Sequence, residues 1–282
     1  MIRQARRTID LRLMLIGFGG LLLTSGLAQD TSFHWPGNAR AAVALTYDDG
    51  IDVHLDHAVP DLEAAGFRGT FYVPANSQSL RSRMEEWRQI ARRGHELGNH
   101  TLIHPCLRKV PGRERTFVTP ERDLDRYTIA RMKSELDLTN TLLFAVDGQP
   151  ARTFAYPCGD ETIGGESYVG AIRPLFPAAR AYSSTEFADP RTVDLYRVPS
   201  WNVAGLPAEE MIAWVEKAVA ARALAVITFH GVGGGHGLNV DRKEHQKLLA
   251  FLNGNRDRIW TAGFLTAARH IAGERKRLGL AP

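Results

Sequence analysis

The 282-residue sequence predicts a parallel α/β fold in one large domain. Three observations carry that reading. Short apolar runs alternate with longer helical patterns; the polar groups best suited to chemistry follow the apolar runs directly; and no repeat, low-complexity stretch or Pro/Ser linker divides the chain after residue 30. Strand, helix, strand, helix is the order that builds a parallel sheet with helices outside. Single α/β barrels routinely occupy roughly 200–250 residues as one domain.

The first strand is read at residues 41–47 (AAVALTY), a buried run that ends in the turn Asp48-Asp49-Gly50. Residues 70–73 (TFYV), 153–156 (TFAY) and 224–229 (LAVITF) read the same way. Helices are expected at about 84–93, 124–144, 208–221, 243–252 and 265–272. In the second of these, Ile129, Met132, Leu136 and Leu143 recur at helical spacing and share one face. The charged run 269–277 is expected to be a solvated helix face.

At the N-terminus Arg3, Arg6, Arg7 and Arg12 lead into the apolar run 13–23, which is followed by Gly26-Leu27-Ala28. This is the three-part layout of a secretory signal peptide over residues 1–28, leaving residues 29–282 as a single domain. Gly17, Gly19 and Gly20 interrupt the run, which falls short of the ~20 residues that span a bilayer. The expectation is an exported protein, periplasmic or extracellular, with no stable membrane insertion after cleavage. Of the formal charge of +4, residues 1–28 carry +3, so the remainder is close to +1. Neither a nucleic-acid footprint nor a polybasic membrane patch is supported.

Asp48 and Asp49 are adjacent carboxylates at a strand end. Neighbouring strand residues point to opposite faces, so one can turn to a metal and the other to a reacting water; an ordinary Asp-Asp-Gly turn is the competing reading. His100 and His104 lie four apart, a spacing that suits chelation from one helical turn. Two imidazoles and a carboxylate make three ligands and leave positions open for water and substrate, as in hydrolytic metal sites. His230 follows the run 224–229 and should reach the same rim, where an imidazole can protonate a leaving group. A structural histidine at a strand end is the alternative.

Thr46-Tyr47-Asp48-Asp49-Gly50 resembles the first motif, usually Thr-Phe-Asp-Asp-Gly, of the NodB-homology polysaccharide deacetylases, carbohydrate esterase family 4. His100-Thr101-Leu102-Ile103-His104 resembles the second motif, and Thr228-Phe229-His230 the fifth, within a resemblance that covers roughly residues 40–270. The resemblance implies a distorted (β/α)7 barrel and one divalent metal, usually zinc, on Asp49, His100 and His104. It also implies Asp48 as general base and His230 as general acid. A metal lowers the pKa of its water from about 15.7 toward about 7, so a carboxylate suffices as base.

The third motif, commonly Arg-X-Pro-Tyr-Gly, departs from the pattern: here it is Ala155-Tyr156-Pro157-Cys158-Gly159. Cys158 can still offer its backbone N–H to an oxyanion, which needs a donor and not a particular side chain. Ala155 cannot replace the arginine that braces the catalytic aspartate. Arg197 is the candidate substitute, and Tyr156, Arg197 and Trp201 are the candidate substrate contacts. The fourth motif's Asp-X-Trp is absent, and Asp194 either orients His230 or is a loop residue. The Gly-rich stretch 231–237, with His236, is a candidate rim of the site.

Cys106 lies two residues after His104, and Cys158 lies in the oxyanion loop, so in an exported chain the pair reads as a disulfide beside the metal. Two free thiols, or one thiolate ligand, are the alternatives. The expected reaction is removal of N-acetyl groups from an acetylated polysaccharide or oligosaccharide of the chitin, peptidoglycan or poly-N-acetylglucosamine type. An O-acetyl (xylan) esterase with the same machinery and a catalytically idle carbohydrate-binding barrel are the other readings.

Overall fold

A computed structural model describes residues 30–181 and 185–281, so the expected signal peptide lies outside the described residues. Residues 32–282 make one compact unit. Its sheet holds β1 (Ala41–Asp48), β2 (Thr70–Val73), β3 (Glu96–Asn99), β4 (Phe154–Ala155), β5 (Ala179–Arg180), β6 (Trp201–Asn202) and β7 (Leu224–Phe229). All pair in parallel, in the order β6-β7-β1-β2-β3-β4-β5. The ends of that order are bridged: Val198, just before β6, exchanges backbone hydrogen bonds with Ala179 and Ala181 around Arg180. The sheet therefore curls into the distorted seven-stranded barrel that the motifs imply. An eighth strand, β8 (Ile259–Ala262), pairs with the first half of β1, Ala41 to Ala44, before β2 takes over at Thr46.

Every residue of β1 is buried, as expected of a parallel strand covered on both faces. Around the barrel run α1 (Val59–Ala64), α2 (Gln78–Ser82), α3 (Met84–Arg92), α4 (Ile129–Asp147), α5 (Val169–Ile172), α6 (Ala208–Ala221), α7 (Arg242–Gly254) and α8 (Phe264–Leu278). The helix expected over 124–144 divides. Asp123 caps a single 3-10 turn, Leu124–Arg126, and Thr128 then caps α4 by accepting from the Arg131 amide. Each cap satisfies a helix-start N–H that would otherwise lack a partner, so two starts replace one.

The last helix departs from a simple solvated face at one residue. Arg275 is only 2% exposed, and it donates to the carbonyls of Pro190 (2.8 Å) and Val193 (2.7 Å). At its other end α8 is pinned to the sheet. Glu96 accepts from the Leu265 amide (3.0 Å), from Thr70 Oγ1 (2.7 Å) and from the Thr153 amide (2.7 Å). A carboxylate at a helix N-terminus meets both unpaired N–H groups and the positive end of the dipole.

A second buried carboxylate ties α1 to α7. Asp61 accepts from Arg242 Nη2 (2.8 Å) and Gln246 Nε2 (2.9 Å); His245 Nδ1 stands 3.6 Å from it, and the other ring nitrogen bonds the Tyr47 hydroxyl (2.8 Å). Burial pushes the Asp61 carboxyl up, but His245, Arg242 and Gln246 outweigh it and hold the group well below the usual carboxylate range. A depressed folded pKa contributes stability above the unfolded value of about 3.9, and that contribution is lost as pH falls through the folded value. Asp61→Asn should therefore cost about 1–2 kcal/mol at pH 7, after screening at the partly exposed Arg242. Urea unfolding should show the gap to the wild type narrowing below about pH 4.

Candidate active site

The ends of β1, β3, β4 and β7 converge on one cleft. Asp48 closes β1, Asp49 turns the chain with φ 79°, and Gly50 follows with φ 55°. A Cβ on Gly50 would sit 2.7 Å from Val73 Cγ1, so the turn needs glycine on both counts. The turn separates the carboxylates. Asp48 points to a buried arginine, whereas Asp49 faces a group of histidines.

His100 and His104 do not share a helical turn. Asn99 Oδ1 accepts from the Thr101 amide (2.8 Å), and Thr101 Oγ1 accepts from the His104 amide (3.0 Å). Thr101 and His104 both take positive φ, 69° and 56°. These side-chain bonds fold residues 99–104 into a tight loop, which competes with helix and prevails here. Four of the six described non-glycine residues with positive φ, Asp49, Thr101, His104 and Cys158, belong to this site. Unfavourable backbone held in place by its surroundings is typical of functional sites.

The loop brings His100 Nε2 to 3.7 Å and His104 Nε2 to 3.4 Å from Asp49 Oδ1. The ligand atoms of these three residues lie within 4.8 Å of one another. The His100 ring donates from Nδ1 to the Ala155 carbonyl (2.9 Å), which leaves the Nε2 lone pair directed at the cleft. Burial pushes the His100 pKa down to about 4, so the ring is neutral at pH 7 and able to ligate. Donor types, proximity and tautomer all fit a divalent cation.

Arg180, which the sequence reading did not single out, stands beside Asp48. One guanidinium nitrogen, Nη2, contacts Asp48 Oδ1 at 2.6 Å and Oδ2 at 2.5 Å; the other, Nη1, reaches Ser200 Oγ (3.0 Å) and Thr228 Oγ1 (2.8 Å). Burial alone would raise the Asp48 carboxyl, yet Arg180, with His100 and His230, holds it at about 2. Arg180 thus does what was expected of Arg197. Arg197 instead pairs with Glu161 at 2.6 Å, is 47% exposed and does not line the cleft. Trp201 is also displaced from its expected role as a substrate contact. It packs against Trp214 of α6 at 4.9 Å and does not line the cleft.

His230 does reach the rim, with Nε2 4.0 Å from Asp49 Oδ2. Its ring stacks on His236 at 4.9 Å, and its carbonyl bonds His54 Nε2 at 2.7 Å. Burial pushes its pKa down, and its Nδ1 is buried with no partner among the described residues. Asp194 does not orient it, being paired with Arg173 at 3.1 Å. Tyr156 lines the cleft and donates its hydroxyl to the Tyr196 carbonyl at 2.9 Å.

Cys158 lines the cleft and is bonded to Cys106 in a disulfide. The bridge joins the histidine loop to the loop that follows β4 across a sequence separation of 52. Chain entropy gives such a closure about 4 kcal/mol at most, often less in practice. Cys106→Ser with Cys158→Ser should lower unfolding stability by about 2–4 kcal/mol in denaturant. Non-reducing peptide mapping should recover the two cysteines in one linked pair.

The cleft measures about 460 Å³, and Arg113, Arg115, Phe117, His236 and Leu238 complete its lining. Sequence reasoning placed none of the two arginines, Phe117 or Leu238. For Arg180 one signal existed: an arginine inside the small apolar run Ala178-Ala179-Arg180-Ala181 is unusual unless a buried anion awaits it.

Fold and site together define a polysaccharide deacetylase-type barrel. Residues 37–164 match the family model described as polysaccharide deacetylase. A peptidoglycan-N-acetylglucosamine deacetylase of Bacillus cereus is 36% identical over 80 residues, 28% of this chain and 28% of its own length. The chain spans at most 28% of the length of the first curated relatives it matches. A solved Mycobacterium smegmatis structure assigned to the polysaccharide deacetylases superposes with a TM-score of 0.63 at 18% identity, covering 88% of this chain and 94% of the other. A family 4 acetyl xylan esterase from Clostridium thermocellum, solved with a cobalt ion, gives 0.51 at 18% identity over 82% and 92%. At such identities these two similarities speak to the fold.

Proposed function

We propose that this protein is an exported, metal-dependent hydrolase that removes N-acetyl groups from a polysaccharide or oligosaccharide. The convergence of Asp48, Asp49, His100, His104 and His230 on one cleft is the observation that carries the reading. Asp49, His100 and His104 would hold a divalent cation, zinc by the nitrogen-rich donor set. That cation would supply Lewis-acid charge that acidifies water and polarises an acetyl carbonyl.

The protein's own groups divide the remaining work. Asp48 takes the proton of the attacking water, and Arg180 keeps its carboxylate ionised and aimed. The Cys158 N–H donates to the tetrahedral oxyanion. His230 returns a proton to the departing amine, which an amide needs more than an ester does. O-acetyl ester cleavage uses the same parts, so acetylated xylan is the rival substrate. The complete set of base, ligands and acid argues against an idle carbohydrate-binding barrel.

Acetate release by the purified, zinc-loaded protein tests this, with chitopentaose and acetylated xylan compared and a chelated control beside them. Acetate from chitopentaose that disappears on chelation supports the amidase reading. Acetate from xylan alone replaces it with the esterase, and no acetate from either substrate or from acidic acetylated oligosaccharides overturns both.

A further inference from the structure

We infer that the mouth of the cleft is a subsite for a sugar carboxylate, so that the preferred substrate is an acidic acetylated glycan; this rests on the deacetylase reading above. The residues concerned lie on the hairpin formed by Lys109–Val110 and Arg113–Glu114 and on the segment that follows it.

That hairpin is anchored to the catalytic floor. The Cys106–Cys158 disulfide fixes its approach, Leu107 donates its amide to Asp160 Oδ2 (2.8 Å), and Arg115 Nη1 bonds the same oxygen (2.5 Å). Arg115 Nη2 also reaches the Cys158 carbonyl (3.4 Å). What the hairpin displays is thus held beside the reacting centre.

The charges lining the cleft do not cancel. Asp48 is engaged by Arg180, Asp49 faces the histidines, and Arg115 is matched by Asp160. Glu114, next to Arg113, is taken by Arg108 at 2.7 Å. Arg113 alone lines the cleft with a guanidinium that meets no anion or acceptor among the described residues. Such a group matches a carboxylate in shape and charge, and a neutral sugar would leave it unused.

Apolar surface lies next to it. Phe117 is 64% exposed and Leu238 38%, and these are two of the four large exposed apolar side chains among the described residues. Both line this cleft. An exposed aromatic beside an aliphatic group offers a platform for the C–H face of a sugar ring, and exposed apolar groups gathered at a cleft mark a binding surface. A pyranose resting on Phe117 with its carboxylate toward Arg113 uses both features. The carboxylate can be that of a uronate or of a lactyl ether on an amino sugar.

The test compares length-matched acetylated oligosaccharides: neutral N-acetylglucosamine oligomers, oligomers alternating N-acetylglucosamine with N-acetylmuramic acid, and acetylated oligogalacturonate. The wild type should prefer one acidic series in kcat/KM. Arg113→Gln should lower the acidic-to-neutral ratio about tenfold through KM, as expected for a lost charge-assisted contact. Arg113→Glu should lower it further, and added salt should narrow the wild-type preference. General damage to the fold would lower both substrates together and leave the ratio unchanged. The acidic series that responds separates uronate from lactyl ether. A wild-type ratio near one that Arg113→Gln leaves in place overturns the inference. If no substrate releases acetate, titration calorimetry with the same oligosaccharides decides: charge-dependent binding lost in Arg113→Gln keeps the subsite and removes the deacetylase reading, and its absence removes both.

Discussion

Asp48→Asn lowers kcat about 10²–10⁴-fold, the range that a positioned general base supplies, while substrate binding persists. The substitution keeps the shape of the side chain and an oxygen to accept from Arg180 Nη2, but it removes the site that receives a proton from water. Because proton transfer is realised only in the transition state, kcat and kcat/KM should fall together and KM should stay close to the wild-type value. His230→Gln makes a useful contrast. Its effect should be larger on an N-acetyl than on an O-acetyl substrate, whereas that of Asp48→Asn should be comparable on both. Asp48→Asn retaining activity within tenfold of the wild type would place the base elsewhere in the cleft, and His236, 3.7 Å from Asp49 Oδ2, would be the next group to vary.

The sequence exposed those parts of the site that sit in local pattern. β1 is an eight-residue buried run, so its end, and with it Asp48-Asp49-Gly50, could be placed from hydrophobicity alone. The two histidines were legible as a candidate ligand pair but not in their conformation, because the bonds from Asn99 and Thr101 that fold the loop leave no periodic trace. Arg180 was hidden for a different reason. Its strand has two residues, too few to show alternation, and its partner lies 132 residues away. Trp201 misled because proximity to a strand end says nothing about which side of the sheet a side chain takes, and here it faces Trp214 of α6. Local chemistry was readable, and contacts made by short strands across the barrel were not.

Arg180→Met should destabilise the protein at pH 7 by about 3–5 kcal/mol, the usual consequence of leaving a buried charge without its partner. The side chains of both Arg180 and Asp48 are almost fully buried, so solvent cannot screen the loss. The pH dependence separates charge from packing. In the wild type Asp48 is held at about 2, below its unfolded value, so its contribution is present above about pH 4 and fades as pH falls toward 2. Without Arg180, burial dominates and raises the folded pKa above the unfolded one, so the penalty grows as pH rises through about 4. In metal-free protein the deficit of Arg180→Met against the wild type should therefore be large at pH 7 and small at pH 3.5. Equal deficits at the two pH values would mean that the arginine stem, packed over Tyr72 with its guanidinium carbon 5.0 Å from the ring centre, matters more than its charge. The double variant Asp48→Asn, Arg180→Met closes the cycle. Removing both charges should restore most of the stability that Arg180→Met loses, yet activity should stay at the level of Asp48→Asn. Stability regained without activity would show that the buried pair serves to hold an ionised base where folding alone would leave it neutral.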